Sequence, residues 1–109
     1  MKVAISEKFD DMRIGPEAYR LYMHFLCEQA RLNSTDAVLE LNRTVRDVLN
    51  KCRIDCDCSE ASEMQHFREL ENRNVIRLDL QTQLDQSNFL PAFETYIKTV
   101  TFLPEGEWV

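Results

Sequence analysis

Residues 51–60, KCRIDCDCSE, bring Cys52, Cys56 and Cys58 within seven positions. Thiols at this density can bind zinc or cycle between thiol and disulfide. The spacing, three residues in the first gap and one in the second, fits neither use. A structural zinc site joins two well-spaced ligand pairs, and here a second pair is missing. The remaining cysteine, Cys27, is distant in sequence on the inward side of a helical stretch, and His66 is the nearest imidazole. No metal or other cofactor is expected. The stretch reads instead as a bend between two helices. Cys52 ends one helix and packs inward, and the aspartates of DCDC cap the next at its positive N-terminal end.

Other chemistry has little to work with. His24 and His66 have no serine–aspartate setting, the carboxylates are scattered, and two glycines in the whole chain leave no phosphate-cradling loop. An enzyme is not expected. A binding surface is better supported. Between Asn42 and Arg53 stand Arg43, Arg46, Lys51 and Arg53 against Asp47, four positive charges less one negative, in a chain whose net charge is −6. Such a cluster suits phosphate contact, although a run of charge can also be only a solvated face. Further on, Ser59, Ser62, Gln65, His66 and Arg68 could reach base edges, since Gln pairs well with adenine and Arg with guanine. The same stretch carries Glu60, Glu63 and Glu69, which oppose phosphate and would suit a basic protein partner.

The elements that must position these residues follow from periodicity. IGPEAYRLYMHFLCEQARLN (14–33) has Gly15 and Pro16 at a helix start, and Ala18, Leu21, Tyr22, Phe25, Leu26 and Gln29 at helical spacing. Met12 or Ile14 is placed to staple its entry. Residues 33–36 are a polar break. AVLEL (37–41) reads as a short extended piece before a helix capped by Asn42; one helix over 35–52 is the alternative. Residues 59–74 form a helix with Ala61, Met64, Phe67 and Leu70 inward and Asn74 as C-cap. VIRLDLQTQ (75–83) alternates as a half-buried strand, and ETYIKTVTFL (94–103) is the second strand of an antiparallel hairpin. TQLDQSNF between them is a long tip, and SNFLPAF within it could turn as helix. Trp108 packs back on the body. Ala18, Leu21, Phe25, Val45, Val48, Leu49, Met64, Phe67, Leu70, Ile76, Leu78 and Ile97 are expected to share one core.

Three prolines and two glycines supply too few turns for a sandwich or barrel. The length suits one domain, 1–109, with 1–11 and 104–109 as flexible or packed tails. No apolar run is long enough to span a membrane. MKVAISEKFDDMR carries charges where a signal peptide would be apolar, so a cytoplasmic protein with reduced cysteines is expected.

In order these elements form an α+β fold, and local sequence adds a resemblance. RIGPEAYRLYMHFL resembles the opening helix of winged helix-turn-helix domains in phage and plasmid replication and regulatory proteins. TVRDVLNKC is similar to their next helix, and FRELENRNVIRL to the recognition helix running into the first wing strand. The match covers roughly residues 12–103. It departs from the family's pattern at the helix stop, NRN in place of glycine, at the turn IDCDCSE, and in the glutamates of 59–74. The resemblance implies three helices with a small antiparallel sheet, in the order helix, strand, helix, helix, strand, wing, strand. It implies a DNA-binding regulator or replication accessory, with helix 42–53 on phosphates and helix 59–74 toward the major groove of double-stranded DNA. A homodimer would suit either functional reading, since a lone module of this size usually needs two copies to bind tightly. The alternative function is an acidic winged helix that binds a basic protein or mimics DNA toward a nucleic-acid-binding protein.

Overall fold

The computed structural model describes residues 6–33, 35–55, 60–85 and 92–109. Its elements in order are α1 (Glu7–Asp11), α2 (Pro16–Arg31), β1 (Val38–Thr44), α3 (Val45–Lys51), α4 (Glu60–Asn72), β2 (Ile76–Asp85), β3 (Ala92–Phe102) and a 3-10 turn, Glu105–Glu107. The three strands make one antiparallel sheet in the order β1-β3-β2, and the fold is α+β.

The N-terminal segment is not a loose tail from residue 7 onward. The Ser6 hydroxyl accepts from the amide of Lys8 and starts α1. The helix buries Phe9 completely, with its ring stacked on Tyr22 at 4.4 Å between centroids and edge-on to Trp108 at 5.9 Å. Trp108 is buried, as the sequence suggested, and its indole N–H donates to the carbonyl of Leu103. The tail that carries it runs beside α1, where the Lys8 ammonium donates to the carbonyl of Glu105.

Two boundaries differ from expectation. The extended piece at 37–41 continues to Thr44, which pairs with Tyr96 of β3. The following helix therefore cannot begin at Asn42. Thr44 is its cap, the hydroxyl accepting from the amide of Asp47 at 3.0 Å. Asn42 sits instead where the ladder slips between Glu40 and Arg43, with φ 51°, a left-handed conformation that asparagine tolerates better than most residues. The hairpin is also longer than its polar sequence indicated. Thr82↔Thr95, Gln83↔Glu94 and Leu84↔Phe93 all pair, and the ladder reaches Asp85↔Ala92. Thr82 and Leu84 thus stand directly opposite Thr95 and Phe93. Ala92 and Phe93 are strand rather than helix, and the rest of SNFLPAF lies outside the described residues.

Helix ends show how a chain with two glycines stops its helices. Arg13, Asn33, Arg53 and Asn74 follow α1, α2, α3 and α4, all with φ between 52° and 56°. After α3 the amide of Ile54 bonds Leu49 and that of Arg53 bonds Asn50. After α4, Val75 bonds Leu70 and Asn74 bonds Glu71. This paired arrangement closes a helix with one left-handed residue.

The core joins both layers. The residues expected there are all buried except Leu78, which is half-buried against the cluster. Phe9, Tyr22, Leu39, Leu41, Ile54, Val75, Val100 and Trp108 complete it. No helix among the described residues is long and apolar enough to cross a membrane.

Candidate nucleic-acid interface

The helix α4 turns Met64, Phe67 and Leu70 into the core and leaves Gln65, Arg68 and Asn72 exposed. These three positions lie at i, i+3 and i+7 and so share one outward row. Ser62 and His66 beside them are half-buried. Ser59 lies outside the described residues. Glu60 opens α4, and its side chain is not described.

The glutamates of this helix are largely engaged within the molecule. Glu69 is not part of an outward acidic face: its Oε2 accepts from the amide of Gly15 at 2.7 Å. Gly15 is the N-cap of α2 and has no side chain to cap its own helix. A Cβ there would stand 3.3 Å from the Glu69 carboxylate, so the bare backbone permits the approach. Glu63 pairs with Arg46 at 2.8 Å. Glu71 pairs with Arg68 at 3.0 Å and also accepts from the amide of Leu78.

The basic cluster is more divided than its sequence suggests. Arg43 belongs to β1 rather than to a helix and is paired with Asp47 at 3.1 Å. Arg46 is exposed on α3. Lys51 is the last residue of α3, and Arg53 is exposed just beyond it. Arg20 of α2 joins them, donating to the carbonyls of Cys52 and Arg53 at 3.4 Å. Sequence reading missed Arg20, because nothing in its own helix signals that α3 ends beside it. A polar pocket of about 240 Å³ lies between α3 and β3, lined by Thr44, Arg46, Asp47, Asn50, Glu94 and Tyr96.

His24 of α2 has a buried Nε2 with no hydrogen-bond partner. Burial holds its pKa below the ordinary value, with Lys51 and Arg43 adding to the effect and Glu28 and Asp47 opposing it. Arg31 beside Glu28 holds that carboxyl below its usual range. Burial pushes the Cys52 thiol up to about 11, so it stays protonated near neutral pH and is a poor nucleophile. Cys52 packs half-buried against the core at the end of α3, but Cys27 is exposed on α2 and not inward. Its position on α2 lies two residues past Phe25, on the far side of the stripe. Cys56 and Cys58 lie outside the described residues. Among the described residues no three His, Cys, Asp or Glu side chains converge as a metal site.

Comparison with protein families, curated proteins and solved structures finds no match to this chain.

Proposed function

We propose that this chain is a DNA-binding winged-helix protein without catalytic activity, acting in the cytoplasm as a regulator or replication accessory. The observation that carries this reading is the state of α4. Glu63, Glu69 and Glu71 are engaged by Arg46, the Gly15 amide and Arg68, and the outward row is Gln65, Arg68 and Asn72. Those are side chains that read base edges. The strand order β1-β3-β2, with a hairpin following α4, supports the winged-helix part of the reading.

In this account Arg20, Arg46, Lys51 and Arg53 contact phosphates and set the register, while the row on α4 contacts bases. Arg46 and Arg68 must share or leave their carboxylates on binding. Exposed ion pairs are worth only about 0–1 kcal/mol, so phosphate can compete for both. Two copies on adjacent half-sites would supply the affinity that one small module lacks. The test is enrichment of a random duplex pool by the wild type, by Gln65→Ala and by Arg68→Ala. The expected result is a sequence preference that changes in either variant. Identical enrichment by all three would remove base reading from α4.

The net charge of −6 motivates a second reading, in which Glu60 and Glu63 meet a basic protein. Reversing both to Lys would then abolish that complex, whereas in the DNA reading it would strengthen duplex binding.

A further inference from the structure

The strand β1 forms one margin of the sheet. The amide of Phe102 donates to the carbonyl of Ala37 at 2.7 Å, so residue 37 bonds toward β3. In an antiparallel ladder alternate residues bond to the same neighbour. Leu39 therefore also bonds toward β3, and Val38 and Glu40 direct their backbone N–H and C=O groups to the side on which no described strand pairs with β1. Their side chains are exposed too, Val38 by 47%. Beside them Leu32, the C-cap of α2, is 52% exposed. Leu32, Asp36, Val38, Leu39 and Glu40 line a pocket of about 430 Å³.

Sheet margins are commonly guarded by charge or by a bulge. Glu40 and the irregularity at Asn42 guard part of this margin, while Leu32 and Val38 leave two aliphatic side chains exposed at its pocket. We propose that this margin takes an extended segment of a partner protein as an added strand. An apolar side chain of that segment fills the pocket between Leu32 and Val38, and a neighbouring Lys or Arg faces Asp36 and Glu40. Main-chain bonds then supply affinity, and alternate side chains supply selectivity. A second copy of this chain is the wrong occupant. Pairing two β1 margins would gather Asp36 and Glu40 from both copies into one patch, in a chain already at −6. None of these residues belongs to α4, so this inference and the DNA reading fail separately.

The test uses the full chain labelled with ¹⁵N and two capped synthetic pentapeptides, Lys-Val-Lys-Val-Lys and Glu-Val-Glu-Val-Glu. The cationic peptide is expected to shift the amides of Leu32, Val38 and Glu40 saturably. The acidic peptide should bind at least about tenfold more weakly, and Glu40→Lys, with its melting temperature unchanged, should weaken the cationic peptide by about the same factor. Equal shifts from both peptides, or none from either at millimolar concentration, would overturn the proposal. So would a dimer in sedimentation that Val38→Asp dissolves, because the margin would then be covered by a second copy.

Discussion

His24 joins sequence, packing and solution behaviour at a single side chain. It occupies a position of α2 from which Nε2 is buried without a partner, and burial lowers its pKa in the fold. The unfolded chain protonates near the ordinary value of 6.5, while the folded chain resists until lower pH. The stability that neutral His24 permits is therefore complete above pH 6.5 and is lost as pH falls toward the folded value. Urea unfolding at descending pH should show this slope, and His24→Leu should flatten it. An unchanged slope in the variant would assign the effect elsewhere. The sequence placed His24 on a helix but could not show its burial, because the groups around it, Lys51, Arg43 and Asp47, come from β1 and α3. Cys27 is exposed rather than inward, which the sequence hid for a related reason: helical spacing marks a stripe but not its edges.

At the scale of elements, α2 and α4 depend on each other through polar and apolar contacts. Glu69 caps α2 from 54 residues away, and Glu69→Ala should cost about 1–2 kcal/mol in chemical denaturation. A loss near zero would mean that water replaces the carboxylate. Phe67 is fully buried, with its ring 6.4 Å from that of Phe25. Phe67→Ala should cost about 3–5 kcal/mol, and a cost below about 1 kcal/mol would contradict the burial. Strong periodicity made α2, α4, β2 and β3 legible, since Phe67 and Leu70, or Ile76 and Leu78, face one way at fixed spacing. The start of α3 was not legible. Asn42 and Thr44 are both good caps by residue type, and only the pairing of Thr44 with Tyr96 selects between them. The length of the hairpin was hidden likewise, because Thr82 and Gln83 gain strand structure from partners rather than from their own propensity. Glu69 read as part of an acidic face because the sequence does not show that α2 begins beside it.

Across the whole molecule the charges are unevenly placed. Glu7, Asp10 and Asp11 lie on α1, and Glu105 and Glu107 on the turn that Lys8 holds beside it. Arg46, Lys51, Arg53 and Arg20 gather around α3. A net charge of −6 is therefore no guide to the potential at α3 and α4, and composition alone could not locate the surface. If that surface binds DNA, affinity must depend on salt, because each phosphate contact releases counterions. The most direct measurement is the anisotropy of a labelled duplex titrated with protein at several salt concentrations. Binding is expected at low salt, with a slope that Arg46→Ala with Lys51→Ala flattens by about one to two units. No change of anisotropy with any duplex at about 10⁻⁴ M protein in low salt, where even non-specific binders engage, would contradict it.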